Sequence, residues 1–272
     1  MKTISRTFAV AFTGLLLLTA CKKEATEEIS DNAASNEISQ EVLGQIKKLG
    51  FGTESVQKVD GGYIVEGDIL LTPKHLSSKS ANEFLRIGNE EQYRTSNTVH
   101  GLPRTLTVRV STSMPNYTAY VNATNAAIAR YNALGLLIKF TRVTSGGNIV
   151  IKPAPSGASY LASAGFPTDG GNPYNQVLIN NTYLGGCGSS TQTSVVAHEI
   201  GHGICFRHTD YMNRSYSCGG SAVNEGASIV GAKLIPGTPS GPSAGSWMLA
   251  CISCGEDLPF TSYDKIALNY LY

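Results

Sequence analysis

His198-Glu199-Ile200-Gly201-His202-Gly203-Ile204-Cys205-Phe206-Arg207-His208 places three imidazoles and one carboxylate within eleven residues. On a helix, His198 and His202 project from one face, one turn apart, where both can bind a single metal ion, and Glu199 stands beside them to handle a proton. Val196, Ile200 and Ile204 repeat with the same spacing of four but lie about 200° around at 3.6 residues per turn. One face can therefore anchor the helix while the other does chemistry. Three of the chain's five histidines fall in this window, which separates the pattern from a helix with incidental histidines. His75 and His100 lie outside it and carry no functional expectation.

Zinc suits this set. Three neutral imidazoles would leave a fourth position for water, whose pKa the metal lowers toward roughly 7. Glu199 would take the water's proton and pass it to the leaving amine, so the chemistry expected is amide hydrolysis without a covalent intermediate.

The rest of the chain fits an exported enzyme. Its 272 residues are enough for a sizeable core. A net charge of +1 with only 15% charged residues gives no support to a nucleic-acid partner. Lys2 and Arg6, the apolar run at residues 8–18 and then Leu18-Thr19-Ala20-Cys21 read as a bacterial lipoprotein signal. The run is too short to span a bilayer. Cys21 is the candidate lipidation site, followed by a polar tether to residue 39. That leaves Cys187, Cys205, Cys218, Cys251 and Cys254, so disulfides are allowed but one thiol must be spare, with the pairing open. Cys251-Ile252-Ser253-Cys254 has redox spacing, but with no second such pair and no thioredoxin-like pattern it reads as structural bridging.

Ile38, Val42, Ile46 and Leu49 recur at helical spacing, and residues 62–71 read as an extended stretch. A polar region at residues 77–98 follows, with Lys79, Arg86 and Arg94 as candidate cleavage points. Residues 105–110 alternate as a half-buried strand, a helix is expected over 121–131, and further strands over 136–140, 148–151 and 176–180. A closing helix would bury Tyr263, Ile266, Ala267, Tyr270 and Leu271, with Thr261 and Asp264 forming its capping box. No internal repeat is present.

The long motif His198-Glu199-x-x-His202-x-x-x-x-x-His208 resembles that of the metzincin zinc peptidases. The wording His-Glu-Ile-Gly-His followed by Phe206-Arg207-His208-Thr209-Asp210 is similar to bacterial HEIGH-type metallopeptidases in particular, over residues 59–272. The resemblance implies an α/β (α+β) fold: a twisted mixed sheet with an active-site helix and a C-terminal helix, preceded by a small propeptide. It also implies His198, His202 and His208 as zinc ligands, and Met248 of Ser246-Trp247-Met248 as the methionine of a turn beneath the metal, supporting the histidines without binding it. Two positions depart from the pattern. Cys205 stands where the family usually has glycine at the sharp turn before the third histidine. Ala250 stands where several metzincins carry a tyrosine.

Asn224-Glu225-Gly226-Ala227-Ser228 resembles the segment by which thermolysin-like enzymes supply a glutamate ligand, so Glu225 competes with His208 as third ligand. The eleven-residue spacing and Met248 together favour His208. Val65-Glu66-Gly67-Asp68-Ile69 resembles the astacin propeptide segment in which an aspartate reaches the zinc. Asp68 is accordingly a candidate zymogen-switch ligand, against the simpler reading of a turn between two strand halves.

The organisation expected is a signal peptide at 1–20, tether and propeptide at 21–95, and a catalytic domain at 96–272. The function expected is a zinc endopeptidase made as a zymogen and acting on protein or peptide substrates. It would be exported and membrane-anchored through Cys21 at the outer membrane or cell surface, or secreted after processing. The residue-176–180 strand would pair with extended substrate, and Leu249, Ala250 and Ile252 would make an apolar pocket. The alternative is a zinc-stabilised surface lipoprotein, an adhesin or binding module without catalysis. The general base Glu199 counts against it, since a structural zinc site needs none.

Overall fold

A computed structural model describes residues 37–49, 51–77, 92–226, 231–239 and 241–272. The signal and lipobox readings and the tether up to residue 36 fall outside the described residues, as do Lys79 and Arg86. Among the described residues no helix is long and apolar enough to cross a membrane.

The N-terminal periodicity folds as α1 (Gln40–Lys48), begun by Ser39, whose hydroxyl accepts the Val42 N–H. Strands β1 (Gln57–Val59), β2 (Gly62–Val65) and β3 (Ile69–Leu71) form an antiparallel sheet in that order. The stretch 62–71 is thus a hairpin rather than one strand. The cause is local: Glu66 and Gly67 take φ of 55° and 89°, reversing the chain just before Asp68. Ile46, Leu49, Phe51, Val65, Ile69 and Leu71 pack with Phe166, so this module shares a small core with the later chain. Helix α2 (Pro73–Leu76) and β4 (Tyr93–Arg94) follow.

The main sheet is built from β5 (Arg104–Val110), β6 (Ile138–Val143), β7 (Ile149–Pro153), β8 (Ala162–Ser163) and β9 (Gln176–Ile179), with α3 (Tyr117–Asn132) crossing between β5 and β6. Its order is β6-β5-β7-β9-β8. All neighbours are parallel except β8, which runs antiparallel to β9 at the edge. Alternation along β5 buries Leu106, Val108 and Val110, as the sequence pattern predicts. Helix α4 (Asn181–Leu184) leads into α5 (Gly188–Ile204), which packs on α3: the Tyr131 hydroxyl donates to the Ala197 carbonyl at 2.7 Å. Helix α6 (Ser215–Cys218), β10 (Lys233–Leu234) paired with β4, and α7 (Ser262–Leu271) complete a mixed α/β architecture.

Two expectations change. Strand β9 cannot pair with substrate, because β7 and β8 take both its edges; the outer edge belongs to β8. Helix α7 starts at the predicted capping box of Thr261 and Asp264, but turns a different face inward. Tyr263, Ile266 and Tyr270 are 41%, 41% and 56% exposed, whereas Asp264, Ala267 and Leu268 are buried. Asp264 explains the rotation. Its carboxylate accepts the Ser246 hydroxyl at 2.7 Å and the Trp247 N–H at 3.2 Å, which draws that side of the helix under the Met248 turn.

Candidate metal centre and cleft

Helix α5 is buried along most of its length, with Val196, Ile200 and Ile204 fully inside the core. It ends at Cys205, which takes φ 125°, a conformation that favours glycine. The Cys205 N–H donates to the carbonyls of Gly201 and His202, and the Phe206 N–H donates to Gly201. The left-handed residue costs on the order of 1 kcal/mol. Strand β4 offsets this by pinning the turn from outside: the Thr95 N–H donates to the Cys205 carbonyl and the Arg207 N–H to the Tyr93 carbonyl, both at 2.9 Å. The chain therefore reverses without glycine and returns His208 to the helix.

His198, His202, His208 and Asp68 converge, their ligand atoms all within 4.8 Å of one another. Asp68 Oδ2 lies 3.0 Å from His208 Nε2, 3.6 Å from His198 Nε2 and 3.9 Å from His202 Nε2. The Nδ1 atoms face away from this centre. Those of His198 and His202 donate to the carbonyls of Trp247 at 2.8 Å and Phe206 at 2.7 Å. His208 Nδ1 meets the Glu225 carboxylate at 2.9 Å and 3.1 Å. Such bonds select the tautomer that leaves Nε2 free to bind a metal and raise its basicity. Glu225, the rival ligand in the sequence, thus sits behind His208. His75 and His100 stand outside the cluster.

Burial, reinforced by the Asp68 charge, pushes the Glu199 carboxyl well above the usual range, with His208 opposing. Burial acts on Asp68 in the same sense, but the imidazoles of His208, His198 and His202 together hold it well below the carboxylate range. Glu199 Oε2 and Asp68 Oδ1 are buried and have no hydrogen-bond partner among the described residues. A metal cation fits a cluster of this kind: three imidazole nitrogens and a carboxylate oxygen converge, and Glu199 Oε2 and Asp68 Oδ1 are buried acceptors left without a donor.

Met248 is fully buried under α5, and the reason for glycine at 201 becomes visible. A β-carbon there would lie 2.6 Å from Met248 Sδ and 3.0 Å from Trp247 Nε1. The turn is fixed further by Thr209, whose N–H donates to the Met248 carbonyl at 2.9 Å. Disulfides Cys187–Cys254 and Cys218–Cys251 tie the segment after Met248 to the start of α5 and to α6, leaving Cys205 as the one free thiol among the described residues, buried.

A cavity of ≈ 320 Å³ opens beside the cluster, bounded by Asp68, His198, Glu199 and Tyr160 and by the apolar side chains of Leu249, Ala250 and Ile252 that the sequence singled out. Along β8 the hairpin docks: the Ala164 N–H donates to the Asp68 carbonyl at 3.0 Å, and the Leu70 N–H to the Ala164 carbonyl at 2.8 Å. Beneath it lies an ion pair the sequence did not signal. Glu66 accepts Arg207 Nη2 with both oxygens, at 2.8 Å and 2.9 Å, while the guanidinium is flanked by the rings of Phe51 and Tyr211. Only the Phe206-Arg207-His208 wording hinted at Arg207. The sequence singled out Glu225 and Asp264 for other roles; nothing local signalled that Glu225 would back His208 or that Asp264 would hold the Met248 turn.

Residues 64–272 match the family model described as the dual-action HEIGH metallo-peptidase. No curated protein matches the chain.

Proposed function

The chain belongs to the dual-action HEIGH metallo-peptidase family, and from that premise we propose that it is a zinc endopeptidase held latent by Asp68. The observation that carries the reading is the convergence of three imidazole Nε2 atoms beside a buried carboxylate, Glu199, that has an unpartnered oxygen. Separations of 3.0 Å to 3.9 Å from Asp68 Oδ2 to the three nitrogens bracket the ~3.3 Å edge of a tetrahedron with bonds of about 2.0–2.1 Å. That donor set fits zinc. When bound, zinc supplies Lewis acidity, lowering the pKa of water and polarising a carbonyl.

The protein's own groups do the rest. His198, His202 and His208 would hold the ion, each oriented from behind by a carbonyl or carboxylate. Glu199 accepts a proton from water and returns it to the amine that leaves. The apolar wall of Leu249, Ala250 and Ile252 takes a substrate side chain and excludes water from around it. The outer edge of β8 and Ala164, where residues 68–70 now pair, is where an extended peptide can pair through its main chain once they leave.

Asp68 and its neighbours use both positions at once. The carboxylate faces the three ligand nitrogens, and the backbone at 68–70 pairs beside β8 at Ala164. Residues 21–95 act as tether and propeptide, and 96–272 as the catalytic part. Export fits the two disulfides, since such bonds persist in oxidising compartments. Lipidation at Cys21 would hold the protein to a membrane. The test is hydrolysis of casein by the zinc-loaded full chain carrying Asp68→Ala. Cleavage should vanish with chelator and with Glu199→Ala; chelator-insensitive cleavage, or equal cleavage without Glu199, would refute the mechanism.

A further inference from the structure

Peptide hydrolysis converts a neutral carbonyl oxygen into an oxyanion, and a hydrogen-bond donor fixed in advance at that oxygen is worth most in the transition state. The side chain at position 250, beside Met248, offers none, being alanine. Several other side-chain donors around the cleft already face protein groups. The Ser194 hydroxyl donates to Asp257 at 2.7 Å and the Ser159 hydroxyl to Gln57 at 2.5 Å, while Arg214 pairs with Glu225 at 3.0 Å. The indole nitrogen of Trp247 faces Gly201 under the helix. Arg214 Nε and Trp247 Nε1 also make no hydrogen bond, but each is accounted for by the carboxylate or the helix it faces, and Tyr160 is the neutral hydroxyl that is left. It is only 3% exposed and lines the same cleft as Glu199 and Asp68, yet its hydroxyl has no partner among the described residues.

A buried, unpartnered hydroxyl carries a desolvation penalty of roughly 1–3 kcal/mol unless something supplies an acceptor. Its surroundings hold it in place. Asn180 grips the loop on both sides of Tyr160, donating from Nδ2 to the Ala158 carbonyl at 2.6 Å and from its N–H to the Leu161 carbonyl at 2.9 Å. Two residues later the chain enters β8, the edge strand, so Tyr160 stands where a peptide paired to that edge would pass. Burial, with the Glu199 charge, pushes its phenol up to about 12, so it keeps its proton at neutral pH.

We infer that Tyr160 is a catalytic residue whose hydroxyl donates a hydrogen bond to the scissile carbonyl oxygen as that oxygen becomes an anion. This rests on the peptidase reading above. As Glu199 takes one proton from water, the water oxygen bonds to the carbonyl carbon and the π pair moves onto the carbonyl oxygen. Tyr160 keeps its proton throughout and stabilises that charge. In the collapse the oxygen's electron pair returns to re-form the C=O bond, the C–N bond breaks with its pair staying on nitrogen, and that nitrogen takes the proton held by Glu199. Tyr160 thus fills, from the β8 side of the cleft, a need that Ala250 cannot meet.

The experiment places Tyr160→Phe on the zinc-loaded full chain bearing Asp68→Ala. It measures kcat and KM on a peptide, the affinity for a phosphinic peptide that mimics the tetrahedral anion, and the zinc content. The expected result is a fall in kcat of roughly 100-fold, with KM nearly unchanged, phosphinate affinity weakened in parallel and zinc content equal to the parent's. Unchanged kcat and phosphinate affinity would overturn the inference while leaving the peptidase reading intact. Loss of zinc in step with activity would also overturn it, since that marks a structural role. If the parent itself cleaves nothing, the peptidase reading fails, and the phosphinate titration alone still decides whether Tyr160 contacts a tetrahedral anion.

Discussion

The sulfur of Met248 lies 2.6 Å from the place where a β-carbon on residue 201 would sit. The helix that carries two histidines and the turn beneath them are therefore in contact through a hydrogen atom's width of space. Gly201→Ala must push the two apart. The expected loss is about 1–3 kcal/mol of stability, read by chemical denaturation. Because His198 is held by the carbonyl of Trp247 next door, metal affinity should fall as well, by roughly 10–100-fold.

Removing the Asp68 carboxylate should raise the peptidase activity of the full chain at least about 10-fold, the effect of ~1.4 kcal/mol of lost competition for the site. The comparison is Asp68→Ala against the unmodified chain, at equal zinc, on a fluorogenic peptide. Equal rates would mean that the 68–70 backbone at β8, rather than the carboxylate, is what blocks the cleft.

Glu66→Gln should destabilise the protein by about 3–5 kcal/mol, because Arg207 is fully buried and Glu66 is the carboxylate it binds. A denaturant titration measures it. A shift below 1 kcal/mol would show that the flanking rings and the Gly226 carbonyl, 2.8 Å from Arg207 Nη1, suffice to hold the cation.

His208→Ala should abolish tight metal binding, whereas Glu225→Gln should weaken it by roughly 10–100-fold. Equilibrium dialysis with zinc separates them. The reverse order would make Glu225 the ligand and His208 its support.

Replacing Cys218 and Cys251 together by serine should lower stability by about 3–4 kcal/mol, from the entropy of closing a loop with a sequence separation of 33. Thermal unfolding reports the loss. The Cys187–Cys254 loop encloses this one, so the two effects will not add.

What could be read from the sequence was what is local. His198, Glu199 and His202 are placed by helical spacing alone, and Thr261 with Asp264 by a four-residue capping pattern. Misreadings arose where distant partners decide. The outer edge of the sheet is set by β8, two residues long and too short to show a period, whereas the β9 stretch is longer and reads as a strand. Tyr263, Ile266 and Tyr270 fit the helical repeat better than Asp264 does, yet Asp264 turns inward because Ser246 and Trp247 need its oxygens. Asp68 could be singled out by type, but its reach to His208 depends on two positive-φ residues in a hairpin. Glu66 with Arg207, and Glu225 with His208, are pairs across 141 and 17 residues that no local pattern announces.

The spare thiol has a consequence for the disulfides around it. A free sulfur inside a protein with two bridges can attack either one and scramble the pairing, but only as thiolate. Burial of Cys205 pushes its pKa up to about 12, so at pH 7 roughly one molecule in 10⁵ carries the reactive form. The residue that replaces a glycine at the helix end is thereby chemically silenced. The five cysteines of the described residues can thus coexist with a single lasting pattern of cross-links.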